Sequence, residues 1–305
     1  MNVLTTIFAY VVFPGFIFTA FAGLFLTWVE RKVTARVQWR VGPPWYQPYA
    51  DFLKLLLKET MVPEGASKFL FFLAPLIGLI AVTTLSVMLF IMNFRPGSSF
   101  IGDLIVIIYL FALLPLSIII GGSASKNPLA SIGASREMTL YFAYELPFLL
   151  ATATVILKSG GSIYVSKILA SQAAHPHLYS VSGVIACVVM LLSAQAKVGY
   201  VPFDTPEAEQ EIMSGPYIEY SGVALAVYRL TRAMMLVVLP VYIITMLWGG
   251  LTSWTALLKF LLIIVLMVLI KNTNPRLRID QALKFFWFVL GPVAVIGLIL
   301  AFLGF

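Results

Sequence analysis

The chain has 305 residues, 61% of them hydrophobic and 11% charged, with a formal net charge of +7. A soluble domain carries roughly 25% charged residues, so this composition excludes an ordinary soluble globular protein. The single cysteine, Cys187, excludes an internal disulfide and cannot ligate an iron–sulfur cluster by itself.

Apolar runs long enough to cross a hydrocarbon core of roughly 30 Å recur along the whole chain. They predict an all-α polytopic membrane protein, a single integral domain over 1–305, with about eight transmembrane helices. The spans fall at approximately Leu4–Val29, Phe69–Asn93, Ile101–Gly121, Thr139–Leu157, Tyr179–Ala196, Glu219–Leu247, Trp254–Ile270 and Phe285–Phe302. The runs are continuous rather than alternating, which excludes a closed β-barrel. The first run reads as a span and not as a cleaved signal peptide. It lacks a basic start, is too long, and ends in WVERK without a small-residue cleavage site.

Loop 1–2, Glu30 to Lys68, opens with a basic row at Lys32, Arg36 and Arg40, breaks at GPPWYQP, and continues as ADFLKLLLKE. Phe52, Leu53, Leu56 and Leu57 against Asp51, Lys54, Lys58 and Glu59 predict an amphipathic interfacial helix. Loop 3–4, GGSASKNPLASIGASREMTLYFAYE, ends in a helix start. Glu145 follows inside span 4, about two turns beyond Glu137, where an ionisable group is a functional candidate by default. It is either a packed carboxyl, neutral or paired with an arginine, or a protonation site that burial makes exchangeable.

His175 and His177 flank a proline without carboxylate or thiol neighbours, which predicts a polar loop and no metal site. Loop 5–6 carries PFDTPEAEQEIMSGPYIEY, in which Asp204, Glu207, Glu209, Glu211 and Glu219 make five of the chain's thirteen acids. Thr205-Pro206-Glu207 reads as a helix start, with Asp204, Glu207 and Glu211 near one face. Arg229 and Arg232 share a face of span 6 beyond Glu219, and either could hold Glu145 ionised. Lys259 in span 7 reads as a snorkelling residue. Loop 7–8 is KNTNPRLRIDQALKFFW.

Fourteen Lys and Arg residues fall in the odd-numbered loops against three, Arg95, Lys158 and Lys167, on the other face. By the positive-inside rule the odd-numbered loops are cytoplasmic and both termini lie outside, in a cell membrane. The net charge thus reports topology and not nucleic-acid binding. No phosphate loop, nucleophile elbow or H-E-x-x-H is present, so the chain shows no redox centre or hydrolytic machinery of its own.

ERKVTARVQWRVGP, QPYADFLKLLLKE, SREMTLYFAYE, PFDTPEAEQE, GPYIEY and NPRLRIDQ together resemble the membrane subunit at the heel of respiratory complex I, its subunit-1/H family. The resemblance covers every cytoplasmic loop in order. It implies a subunit that joins a soluble redox module to an ion-pumping membrane module. Glu145, Glu219, Asp204, Glu207, Glu209, Glu211 and Glu30 would start a lateral proton path, with Arg229 and Arg232 setting their proton affinity. Arg36, Arg40, Arg136, Arg276, Arg278 and Asp280 would dock the soluble partner.

Members that reduce quinone usually carry Glu and Arg just before PFD and a longer loop after the GP turn. Here AKVGYVPFD supplies Lys197 and Tyr200, only PWY separates the two motifs, and Arg232 stands where many members have an acid. These departures resemble the branch of membrane-bound group 4 [NiFe] hydrogenases, formate hydrogenlyase and the archaeal sulfane-sulfur reducer. That branch implies hydrogenase-like large and small soluble subunits carrying Fe–S clusters and, in the hydrogenases themselves, a NiFe centre, with antiporter-like and small membrane subunits alongside. No cofactor is then bound by this chain. A sulfur- or quinone-reducing complex keeps the same role. A stand-alone secondary transporter is a third reading, against which the chain shows no internal repeat.

Overall fold

The computed structural model describes residues 3–173, 175–252 and 254–305. Among them are no strands, and the helices run in the order α1 (Val3–Val11), α2 (Phe16–Val37), α3 (Gln47–Leu57), α4 (Lys68–Phe94), α5 (Asp103–Ala124) and α6 (Pro128–Lys158). Then come α7 (Val165–Ser171), α8 (Val181–Val198), α9 (Glu209–Ile212), α10 (Gly222–Leu247), α11 (Ala256–Thr273), α12 (Ile279–Lys284) and α13 (Gly291–Phe302). A π-helical turn, Phe285–Leu290, joins the last two. Eight of the resulting stretches are long and apolar enough to cross a membrane: α1–α2, α4, α5, α6, α8, α10, α11 and α12–α13.

The core is built around α10, whose apolar residues from Leu230 to Leu247 are buried on every side, as expected of a helix hydrophobic all round. α2, α4 and α8 pack against it. Small residues set the closeness, because lipid tails give no hydrophobic drive between helices and association depends on backbone approach. At Gly23 of α2 a Cβ would stand 2.5 Å from the Ala233 carbonyl oxygen of α10.

Hydrogen bonds sort the loops into two ends. At one end Met61 meets Ser221, Arg136 meets Glu211, and the Leu277 N–H donates to Pro202. At the other, Asp103 accepts from the Val165 N–H and Asn93 from the Leu251 N–H. The first end gathers the four basic loops, so the charge asymmetry of the sequence is also an asymmetry in space.

Several boundaries differ from expectation. Span 1 is broken at Pro14-Gly15, and α2 then continues through ERKVTARV to Val37. Arg40 lies beyond the helix, past Trp39 at a φ of 59°, so it does not extend the row of Lys32 and Arg36. Span 4 starts eleven residues early because Asn127 caps α6, its side chain accepting from the Leu129 N–H at 2.8 Å, and Pro128 takes the first helical position. Arg136 and Glu137 are therefore helical. Glu219 is not on span 6, since α10 begins only at Gly222. The acidic helix is not continuous: a 3₁₀ turn over Thr205–Glu207 is followed by the one-turn α9. Asp204, Glu207 and Glu211 accordingly share no helix face. α3 does form where the amphipathic pattern places it, with Leu53, Leu56 and Leu57 exposed.

Candidate functional site

Loop 5–6 begins where Gly199, at a φ of +70°, ends α8 by donating to Ala196, while the Tyr200 N–H donates to Gln195. The left-handed turn folds the acidic segment back onto the charged end of the bundle. There Asp204, Glu207 and Glu211 each meet an arginine from a different part of the chain. Arg276 donates through Nε (2.7 Å) and Nη2 (2.5 Å) to one oxygen of the buried Asp204. Arg232 of α10 donates to Glu207 at 2.6 Å, and also to the Gly199 carbonyl. Arg136 of α6 pairs with Glu211 at 2.6 Å in an exposed position. Glu219 accepts from the Asn127 amide at 2.5 Å. Glu209 is exposed.

Glu30, buried near the end of α2, accepts from Lys271 of α11 at 2.6 Å and from the Thr34 hydroxyl at 3.2 Å. Tyr200 sits between the two ion pairs, its ring under Lys271 (4.5 Å) and Arg232 (5.2 Å). Burial, and after it Glu30, push the Tyr200 phenol well above its ordinary range against the opposing pull of Arg232 and Arg31. It therefore remains a hydroxyl donor at any physiological pH.

Glu30, Lys271, Tyr200, Asp204, Glu207 and Arg232 line a cavity of about 550 Å³ between α2, α3, α10 and loop 5–6. Nine of its 23 lining residues are charged: Arg31, Asp51, Glu209 and Arg229 besides Glu30, Lys271, Asp204, Glu207 and Arg232. Arg31 and Gln47 donate to Asp51 at 3.0 and 2.9 Å. Burial raises the Asp51 carboxyl, but these two hydrogen bonds outweigh it and hold the group below the usual carboxylate range.

Deeper in the bundle Glu145 of α6 is paired at 2.5 Å with Lys197 of α8, whose side chain is 1% exposed. Neither arginine of α10 reaches Glu145: Arg232 is committed to Glu207, and Arg229 is exposed at the cavity. Glu137 lies on α6 between the two regions. It lies within electrostatic reach of Glu207 and Arg232, eight residues before Glu145 and so about 12 Å along the same helix. Tyr144 is within reach of both acids.

The sequence singles out Glu145 correctly as a buried acid but misses its partner. Lys197 counts there as a loop charge, because it closes a span next to a turn. Glu137 and Lys271 are missed for the same reason: α6 and α11 extend beyond their apolar runs. Of the residues assigned to docking, Arg136 and Arg276 hold acids of this same chain. Arg36, Arg40, Arg278 and Asp280 are exposed at the charged end. No group of three or more His, Cys, Asp or Glu suited to a metal ion occurs among the described residues. His177 is buried with Ser159 and Ser171 hydroxyls at 3.1 Å, and Lys259 donates to the Trp248 carbonyl at 2.7 Å.

An all-helical, eight-span membrane protein with a charged cavity at one end and acid–base pairs leading inward defines the class. The chain belongs to the NADH dehydrogenase family, the subunit-1/H family of complex I, which matches over residues 9–302. It is 34% identical over 292 residues to the H subunit of NADH-quinone oxidoreductase from Bacillus cytotoxicus, covering 89% of this chain and 86% of that one. The corresponding chain of Thermomicrobium roseum is 33% identical over 306 residues, covering 90% and 89%. In structure the chain is similar to one from the membrane-bound sulfane sulfur reductase, an archaeal respiratory membrane complex. The TM-score is 0.83 at 29% identity, covering 93% of this chain and 96% of that one.

Proposed function

We propose that this chain is the membrane anchor and coupling subunit of a respiratory, ion-translocating oxidoreductase of the hydrogenase type. It sits in the cell membrane with the charged end in the cytoplasm and both termini outside. Soluble large and small subunits carrying the NiFe and Fe–S centres dock on Arg36, Arg40, Arg278 and Asp280, and antiporter-like and small membrane subunits lie beside it. Redox chemistry at the cavity changes the charge felt by Glu30, Glu207 and Asp204. That change passes by way of Glu137 to Glu145, where a proton enters the membrane path.

The observation that carries this reading is the run of acid–base pairs from the cavity into the spans: Glu30–Lys271, Glu207–Arg232, then Glu145–Lys197. Each ion taken from water costs several kcal/mol, and well-packed apolar residues would stabilise a mere anchor at least as well. Nine charged residues in the cavity wall also suit a polar partner or substrate better than an isoprenoid quinone. A second reading, a sulfur-reducing complex, is favoured by the likeness to the sulfane sulfur reductase chain.

The test is to tag the chain, solubilise native membranes gently, and assay what co-purifies for nickel and for hydrogen evolution from a reduced dye. Nickel with hydrogen evolution supports the hydrogenase reading. Iron–sulfur partners that reduce sulfur compounds without nickel move the complex to the second reading. A chain that purifies without partners and transports on its own contradicts both.

A further inference from the structure

Lys197 is the most enclosed cation among the described residues that form ion pairs, and it faces three aromatic rings where Lys271 and Arg232 face one. Lys158 donates to the Ser182 hydroxyl at 3.1 Å, Lys259 to a carbonyl, and Lys271 sits with a quarter of its side chain exposed. The Lys197 ammonium has three donors, yet among the described residues its one hydrogen-bond acceptor is Glu145 Oε2. Around it stand rings: Phe148 at 4.4 Å, Tyr144 at 4.9 Å and Phe111 at 5.8 Å from Nζ. An ammonium over aromatic faces is attracted by the ring quadrupole, and more strongly once it is stripped of water. The cage therefore holds the positive charge partly independently of the carboxylate.

Rings attract a cation but accept no transferred proton, so they fix the charge without competing for exchange. The Tyr144 hydroxyl, on a ring already against Lys197, is buried without a hydrogen-bond partner among the described residues. Glu145 is less enclosed than its partner, with 11% of its side chain exposed. The titratable groups within reach of it from the packed elements are Lys197 of α8, Tyr141 and Tyr144 of α6, and Tyr242 of α10.

Resting on the coupling role proposed above, we infer that Lys197 is the positioning cation of a proton-loading site: it decides whether Glu145 carries a proton, and the ring cage retains its ammonium when it does. A proton arriving from the cavity side adds to the Glu145 carboxylate and the ion pair opens. Lys197 keeps its three protons, and the site gains one positive charge. Passage of that proton to the next acceptor, a carboxylate or water in an adjoining membrane subunit, returns Glu145 to carboxylate and closes the pair. This arrangement is absent from a path made of acids alone, where each loaded proton neutralises a negative charge without exposing a fixed positive one.

Infrared difference spectroscopy on the purified complex in nanodiscs at neutral pH tests this, because it reads a protonated carboxyl without any transport. Lys197→Met removes the cation, and a buried carboxylate without its partner takes up a proton. The expected result is a new carboxyl band in Lys197→Met that is missing from the Lys197→Met/Glu145→Gln double variant and from Lys197→Arg. If Lys197→Met fails to assemble, Lys197→Gln is measured in the same way with the same expectation. A spectrum of Lys197→Met with no Glu145-dependent band overturns the inference. Translocation by the same complexes separates the two ideas. The band gained with translocation unchanged leaves the Lys197–Glu145 assignment standing and removes the coupling role. Translocation lost with no band gained removes the assignment and keeps the role.

Discussion

At Arg232 three interactions converge: the ion pair with Glu207, the Gly199 carbonyl and the Tyr200 ring. Removing one partner of a buried pair costs roughly 3–5 kcal/mol. Because about a third of the Arg232 side chain is exposed, Arg232→Ala is expected to fall at the lower end of that range, read as a drop in the thermal midpoint of the purified complex. Arg136→Ala, which frees the exposed Glu211, should cost only about 0–1 kcal/mol in the same assay. Equal losses in the two variants would contradict the pairing. His177 gives a pH dependence at the opposite end of the molecule. Burial, then the nearby Lys158, lower its pKa from the ordinary 6.5. The folded state thus binds fewer protons there than the unfolded state, so stability is present above about pH 6.5 and is lost as pH falls below it. His177→Gln should flatten that acid-side slope, and an unchanged slope would show that another group sets it. At this scale the sequence reveals which residues are anomalous and not how they pair. Glu145 stands out because an acid in an apolar run is rare; its bond to Lys197 depends on how α6 and α8 lie against each other, which no local pattern encodes.

The helices themselves were largely legible, since continuous apolar runs leave little choice of structure in a bilayer. Their ends were not. A run of apolar residues marks what lipid touches, whereas α6 continues as a helix into the charged end held by a cap at Asn127 and by contacts with loop 5–6, and α2 continues there against α3, α10 and α11 with Glu30 paired to Lys271. The acidic segment misled in the other direction, because good start signals at Thr205-Pro206 are cut short when Ala208 leaves helical geometry at ψ 94°. Loop 5–6 is instead shaped by arginines from three elements, and this makes a prediction at the same scale. In hydrogen exchange, Arg276→Ala and Arg232→Ala should each loosen residues 199–221 while α4 and α5 keep their protection. Uniform loss across the helices would mean that the pairs support the whole bundle and not the loop. Helix contact is equally testable. Gly23→Leu would force α2 away from the Ala233 backbone, a misfit expected to cost about 1–3 kcal/mol or more and to lower the thermal midpoint accordingly.

Across the whole molecule, charge is segregated to one end and the acid–base pairs step inward from it. The positive-inside count predicted that segregation, and the structure shows the four basic loops gathered together; which membrane face they meet is open to a direct check. A reporter fused after Phe305 should be active only outside the cytoplasm, and cytoplasmic activity would reverse the topology. In the proposed function, redox chemistry at the charged end drives ion movement through Glu145. That coupling is tested most directly by ions translocated per electron transferred, in membrane vesicles holding the complete complex with wild-type chain or with Glu145→Gln. Glu145→Gln should retain electron transfer and lose ion translocation; an unchanged ratio of ions to electrons would remove Glu145 from the path.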